Sequence, residues 1–534
     1  MNSRYSTLIR SAFPVVLIAS FVLLVPWLGE TLFYSKGEPR EAIVGVSILE
    51  GGNWILPTNY GGDIPYKPPF LGWLIAIFAA IFNGGVVSEF ISRLPSALAA
   101  IAMICGGYFW AKRAKGERFA LIFSVITLCS FEVFRAALAC RLDMVLTACM
   151  VGALYTMYAA EEHNRGSRRA LLYLLAWVLM SCACLTKGPV GSFLTCFIFG
   201  VYLLLRRRNF FASLFKMLVL AAVATLPMIW WGYEAYQQGG EHFYNLMMEE
   251  NFDRLFSRMA YESHVQPFWY NFVTLAAGLL PWTVFLLAAC FGRKKSFSTA
   301  LSPAALLSVC AAVLTVVFYT IPDSKRSVYL LPAYPFICYG ITCVFESASA
   351  AGARRFFAWF ISILAILAPV ALIATQFVDI KGLSAGTIPW WGYIILLIPF
   401  ACGVAWIVNR HSPLGHTLVT VWSMFLAYVA VGMPLFLNPK SDSVALERIC
   451  AGNPPAVINL LPDEKFRLYS LNYYLNDKLR HVATVEEAAA YPRGTVLLIP
   501  SGSDTTGISD YYTVEPLLPR SADHRNKVDI AFRK

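Results

Sequence analysis

The chain has 534 residues, 58% of them hydrophobic and only 14% charged, with a net charge of +11 and a mean hydropathy of +0.59. That balance excludes an ordinary soluble globular domain, because apolar runs of about 20 residues are what a bilayer core of roughly 30 Å demands. It also argues against nucleic acid as the partner of the basic residues, since Lys and Arg sit in short clusters between apolar runs.

In chain order, the candidate spans are 11–33, 90–111, 119–135, 143–160, 170–186, 189–205, 213–235, 268–290, 300–320, 327–345, 355–378, 389–409 and 415–437, thirteen in all. The first is too long for the apolar core of a signal peptide and lacks a small-residue cleavage site, so it is read as a retained span. The connecting segments alternate. Arg4 and Arg10, "AKRAKGER", "HNRGSRR", "RRRN", "GRKK", "GARR" and "NRH" are short and basic, which places them in the cytoplasm. The segments 34–89, 136–142, "TKGP", 237–267, "PDSKRS" and 379–388 are longer or mixed in charge and fall outside. The run 68–82 is short for a span, and crossing there would move every later basic loop outside; it is expected to lie in or dip into the outer interface. Twelve of the 13 cysteines lie in or beside apolar runs as small apolar residues, and only Cys450 falls in the polar tail.

The organisation expected is therefore a membrane domain over 1–437, with a first external loop at 34–89 and a second at 237–267, followed by a soluble external tail at 438–534. In the tail, "RLYSL", "TVLLIP" and "VDIAF" read as strands and "SDSVALERICA" and "TVEEAAAY" as capped helices, giving a small α/β domain. The tail has no metal-ligand spacing, phosphate loop or nucleophile elbow.

On this topology the polar residues gather on the outer side. They are Lys36, Glu38, Arg40 and Glu41; Asp63, Tyr66 and Lys67; Arg141 and Asp143; Lys187; Glu249, Glu250, Asp253 and Arg254; His264; and Asp323, Lys325, Arg326 and Tyr329. An outer-end Lys or Arg is commonly a snorkelling anchor. Asp143, at the head of an apolar span, is costly there unless it is paired with Arg141 or functional. Several cations near two or three carboxylates suit an anionic substrate that also needs an acid, a base or an electrostatic partner. A phosphate on a lipid is the natural ligand for cations at headgroup depth.

The stretch "GEPREAIVGVSILEGGNWILPTNYGGDIPYKPPFLGWL" resembles the first external loop of the aminoarabinose lipid A transferases and the related protein O-mannosyltransferases, integral-membrane glycosyltransferases of the GT-C superfamily. The likeness continues in order through "RLDMVLT", "LTKGPVG", "EENFDRLF" with "QPFWYNF", "LLPWTVF" and "PDSKRSVYLLPAYP". It implies a polytopic α-helical membrane protein of GT-C type with about 13 transmembrane helices and interfacial helices in the first external loop. A small α/β domain would follow; thirteen spans, read with the basic loops, place the N-terminus in the cytoplasm and that tail in the periplasm, in the inner membrane of a bacterium with two membranes. The resemblance also implies transfer of a sugar from a polyprenyl-phosphate donor to an envelope acceptor, with a lipid A-like glycolipid placed first. A protein hydroxyl acceptor is the alternative, and a transporter or flippase of a lipid-linked anion is the other class.

By position, the resemblance implies that Lys67 and Arg254 bind the donor phosphate with Tyr329 beside them. Asp143 matches the family's second essential acid, Lys187 and Lys325 match basic positions lining the cavity, and Arg40, Tyr66 and Arg141 complete its polar lining. The chain departs from the family at three points. The aspartate expected before "EPR" is Gly37, leaving Glu38 as the acid expected to work with Asp143. The acidic residue before the Lys of "KPP" is Tyr66. The histidines before Arg254 are replaced by "EENFD", with Glu249 in the matching stretch. The family's metal thereby loses its expected ligands, so no metal and no other cofactor is expected.

Overall fold

The computed structural model describes residues 12–60, 62–65, 67–162, 166–249, 265–292, 301–378, 385–409, 412–441, 455–458, 468–477, 479–482, 484–500, 506–516 and 528–534. The apolar runs fold as helices because a segment in lipid can satisfy its backbone polar groups only internally. The helices are α1 (Phe13–Leu24), α2 (Gly37–Gly51), α3 (Phe70–Phe82), α4 (Glu89–Lys115), α5 (Glu117–Leu128), α6 (Phe131–Ala137), α7 (Leu142–Glu161), α8 (Ser167–Lys187), α9 (Val190–Leu205) and α10 (Phe210–Met248). They continue as α11 (Tyr270–Gly278), α12 (Trp282–Gly292), α13 (Pro303–Thr320), α14 (Tyr334–Glu346, after the 3₁₀ turn Ser327–Ala333), α15 (Ala351–Ala374), α16 (Trp390–Val408), α17 (Pro413–Ala427) and α18 (Met433–Leu437).

Every expected span falls on a helix or a bent pair of helices. Among the described residues, nine helical segments are long and apolar enough to cross a bilayer, and the bent pairs α5–α6 (69°) and α11–α12 (103°) bring the number to eleven at most. The expected runs at 11–33 and 189–205 contain only the shorter helices α1 and α9. Among the described residues, length and composition thus account for up to eleven of the thirteen expected crossings. The run at 68–82 folds as the 13-residue α3, about 20 Å long at 1.5 Å per residue and short of a full bilayer core. The start of the expected loop 237–267 is instead helical to Met248 as the end of α10, which turns at Gly240 (φ 56°); residues 250–264 lie outside the described residues.

The centre of the bundle is α4 and α7, both mostly enclosed, whereas α10 exposes most of its apolar surface. Helix α7 packs on α4, α8 and α9. This brings the N-terminus of α7 and the C-terminus of α8 together at one end, beside α2.

The tail carries a five-stranded mixed sheet in the order β2-β1-β3-β5-β4, formed by β1 (Pro455–Ile458), β2 (Arg480–Val482), β3 (Val496–Pro500), β4 (Tyr512–Pro516) and β5 (Val528–Arg533). β1 runs parallel to β2 and β3, and β5 runs antiparallel to β3 and β4. "TVLLIP" and "VDIAF" form β3 and β5 as expected. "TVEEAAAY" forms the short α20 (Val485–Ala489), with Thr484 accepting from the Glu487 amide at 3.2 Å. "RLYSL" is a correction: in place of a strand, Leu468 and the residues after it lead into α19 (Tyr469–Tyr474). A short apolar run does not distinguish strand from helix, and the helical turn puts Leu468 and Leu471 on the same side, against Val496, Leu498 and Ile530. Most of "SDSVALERICA" lies outside the described residues.

Helix α19 docks on the segment between α1 and α4 and on the first residue of α4. The Phe33 amide donates to Tyr474 Oη at 2.9 Å, Tyr474 donates to Glu89 at 2.8 Å, and Tyr473 donates to the Val87 carbonyl at 2.8 Å. The Leu468 amide donates to Tyr60 Oη at 3.1 Å.

Candidate functional site

The site is built around α2. Pro39 lies in its first turn, where the missing N–H leaves no bond unmade, and Glu38 complements the positive helix end. Gly52, at φ 68°, stops the helix in a left-handed conformation that favours glycine. Residues on a helix are about 100° apart, so Gly37 and Glu41 share a face while Glu38 points along a neighbouring flank.

That flank takes Glu38 into the protein. Arg93 of α4 donates to Glu38 Oε1 through Nε at 2.9 Å and to Oε2 through Nη2 at 3.3 Å, and the Cys140 amide donates to Oε1 at 3.0 Å. Arg93 Nη1 also donates to the carbonyls of Leu28, at 2.8 Å, and Thr31. Both charged groups are buried. A carboxylate with both oxygens held in a forked pair fixes α2 against α4 and the turn before α7. Glu38, expected to act as a catalytic acid, is thus held in a buried pair with Arg93. Arg93 is the neighbour that the sequence reading does not reach; the available signal is an arginine near the start of an apolar run, which requires a partner.

On its other flank α2 borders an open cleft of about 370 Å³, lined by Arg40, Glu41, Asn59, Lys67, Pro68 and Leu142 among others. Arg40 Nη2 donates to Glu41 Oε1 at 2.7 Å. Burial pushes the Glu41 pKa up, but Arg40, Lys67 and Arg141 outweigh burial and leave it below its usual value. Burial lowers Lys67 to about 8, against the opposing pull of Glu41 and Asp143. Lys67 thus feels both carboxylates.

Asp143 stands one residue into α7, buried, and Lys187 at the end of α8 donates to its Oδ1 at 2.7 Å. Arg141 Nε lies 3.8 Å from Oδ2, a longer pairing. Lys187 Nζ also sits 4.3 Å from the centre of the Tyr329 ring, a cation–π contact that joins the 3₁₀ turn before α14 to the site. Gly37 lies beneath Arg141: a β-carbon built there comes within 2.5 Å of Arg141 Nη1. Arg141 also lines a second cavity of about 560 Å³ with Tyr34, Glu38, Arg93 and Arg135.

The structure therefore brings Arg40, Lys67, Arg141, Asp143, Lys187 and Tyr329 together. Lys325 is buried, but its ammonium donates to the Gln266 carbonyl at 3.1 Å, beside the bridge between Val265 and Ser324. Tyr66 and Arg254 lie outside the described residues, as do Glu250, Asp253 and His264. Among the described residues, no three His, Cys, Asp or Glu side chains converge as a metal site would require.

Residues 66–231 match the family described as dolichyl-phosphate-mannose-protein mannosyltransferase. An undecaprenyl phosphate-alpha-4-amino-4-deoxy-L-arabinose arabinosyl transferase of Pectobacterium carotovorum is 27% identical over 332 residues, covering 60% of this chain and 56% of the relative. The protein of the same name from Shewanella sediminis is 25% identical over 347 residues, covering 64% and 61%. The matched part of the chain thus spans 56% and 61% of the length of these two relatives. The solved structure of ArnT from Cupriavidus metallidurans bound to undecaprenyl phosphate superposes with a TM-score of 0.72 at 20% identity, covering 98% of both chains.

The helical bundle, the charged cleft at one end and the sheet-bearing tail define a multi-pass helical membrane protein with the fold of that solved structure. Within that class, the chain is similar over residues 66–231 to the dolichyl-phosphate-mannose-protein mannosyltransferase family, and over about 60% of its length to the aminoarabinose arabinosyl transferases.

Proposed function

We propose that this protein is a glycosyltransferase of the bacterial inner membrane, moving a sugar from a polyprenyl-phosphate donor to an envelope acceptor on the periplasmic face. A lipid A-like glycolipid is the favoured acceptor. The observation that carries the reading is Lys67, a cation at a cleft, within electrostatic reach of Asp143 and Glu41. The undecaprenyl-phosphate arabinosyl transferases among its relatives supply the donor class. The N-terminus is read as cytoplasmic and the tail as periplasmic, from the basic loops.

In this reading Lys67 and Arg254 hold the donor phosphate, with Tyr329 as a further donor group. Negative charge grows on that phosphate as the bond from the anomeric carbon breaks, and cations fixed beforehand in a site poor in water stabilise it. Asp143, held by Lys187, lies near the positive charge that develops on the sugar. Arg40, Tyr66, Arg141 and Lys325 line and brace the cavity, and Glu38 serves as a positioning residue through Arg93. The reading takes no metal: Tyr66 and Glu249 replace the acidic and histidine ligands that the family's metal needs, and one phenol and one carboxylate make a poor set.

A second reading, transfer to a protein hydroxyl with the same type of donor, is favoured by the match at 66–231, whose family is described as a protein mannosyltransferase. Mass spectrometry of envelope lipids and glycoproteins, with and without the protein, separates the two. A sugar-sized mass on lipid A supports the first reading and one on proteins the second. Unchanged masses in both pools overturn the assignment.

A further inference from the structure

Glu38, Asp143 and Glu41 stand at this end of the bundle, and they differ in what occupies them. Glu38 has both oxygens taken by Arg93 and the Cys140 amide. Asp143 is fastened to Lys187 at 2.7 Å. Glu41 lines the cleft that also holds Lys67, and its side chain stays 14% exposed there while paired with Arg40 at 2.7 Å. It lies four residues after Gly37, on the same helix face and about 6 Å along the axis. Position 37 itself has no room for an acidic side chain unless Arg141 moves.

We propose that Glu41, which shares its cleft with Lys67, is the carboxylate that faces the reacting sugar, in place of the side chain missing at Gly37. This rests on the glycosyltransferase reading above. In the transfer, the bond between the anomeric carbon and the donor phosphate breaks, and its electron pair leaves with the phosphate. The acceptor oxygen forms the new bond to that carbon, and Glu41 supplies counter-charge to the cationic sugar between the two events. The cations around Glu41 keep it ionised at neutral pH, which makes it a good counter-charge and a weak base. A hydroxyl acceptor would leave its proton on Glu41, whereas a phosphate acceptor brings an oxygen that is already anionic and has no proton to remove. The arrangement therefore favours a phosphate-bearing acceptor.

The test uses the full-length protein in membranes with a polyprenyl-phosphate-linked sugar, and measures binding of undecaprenyl phosphate separately. Glu41→Gln should lower kcat by about 100-fold or more while binding undecaprenyl phosphate as tightly as the unaltered protein or more tightly, because a negative charge beside Lys67 has gone. Glu41→Asp should recover part of kcat. The proposal is overturned if Glu41→Gln keeps more than about one tenth of kcat. It is equally overturned if turnover and undecaprenyl phosphate binding fall together, since Glu41 would then only brace Lys67. If the unaltered protein transfers no sugar at all, the glycosyltransferase reading itself falls, and this inference with it.

Discussion

Lys187 Nζ donates a 2.7 Å hydrogen bond to Asp143 Oδ1, fastening the last residue of α8 to the second residue of α7. The two side chains are 21% and 10% exposed, so the pair is neither fully buried nor fully screened. Removing the lysine should cost about 1–3 kcal/mol, below the roughly 3–5 kcal/mol of a fully buried pair. Lys187→Ala should therefore lower both thermal stability in detergent and sugar transfer. Asp143→Asn keeps the shape and a hydrogen-bond acceptor, and should abolish most transfer with a much smaller loss of stability. Equal stability losses in the two variants would contradict this division.

The Glu38–Arg93 pair predicts the opposite balance. Both groups are buried, and Arg93 also serves the Leu28 and Thr31 carbonyls. Arg93→Ala leaves a buried carboxylate and two carbonyls unmet, so it should cost at least about 3–5 kcal/mol. The expected outcome is little folded protein on size-exclusion chromatography. Glu38→Gln retains the shape and one acceptor oxygen, and should give a milder loss of folded yield. A normal yield of Arg93→Ala would show that the pair does not hold α2 in place.

Lys67, lowered to about 8 by burial, predicts an alkaline limit. A lysine with a depressed pKa is charged below that value and neutral above it, and a phosphate ligand prefers the charged form. The donor KM should therefore rise as pH climbs past about 8, approaching tenfold per unit, while kcat changes little because the bound phosphate holds the proton on Lys67. Lys67→Arg stays charged throughout and should lose this limb. A donor KM that is flat from pH 7 to 9.5 would remove Lys67 from the phosphate site.

The tail makes a separate prediction. Tyr473 donates a hydrogen bond to the Val87 carbonyl and Tyr474 donates one to Glu89, and Tyr474 accepts another from the Phe33 amide. Replacing both with Phe keeps the ring packing on Phe33, at 4.7 and 6.5 Å, but leaves the Phe33 amide and the Val87 carbonyl unmet. At about 1–3 kcal/mol for each unmet group, limited proteolysis should release the tail faster. Unchanged release would mean that the rings alone dock α19.

Much of the architecture was legible because hydropathy acts locally. Each apolar run had to become a helix, whatever it packed against, so every expected span landed on a helix or bent pair. The helix at 70–82 and the strands at 496–500 and 528–533 followed from the same local rules. The number of crossings was not carried by the same rules, since among the described residues the helices within 11–33 and 189–205 are too short to count by length. The "RLYSL" segment failed for a related reason, because its tertiary partners decide between strand and helix.

The sequence by itself determined the membrane class, the order of the helices and the set of charged residues at one end, because burial in lipid and charge in loops are properties of short stretches. The resemblance drawn from it pointed to Gly37 as the position where an acid was expected. Only the tertiary structure decided which carboxylate is left to face the cleft. Glu38 and Glu41 are three residues apart on one helix and alike in chemistry, but Arg93, 55 positions after Glu38 in the chain, claims the first. Arg141, folded over Gly37, closes the position that the sequence singled out. Pairings across such separations depend on how α2, α4 and α7 pack, which no local pattern carries.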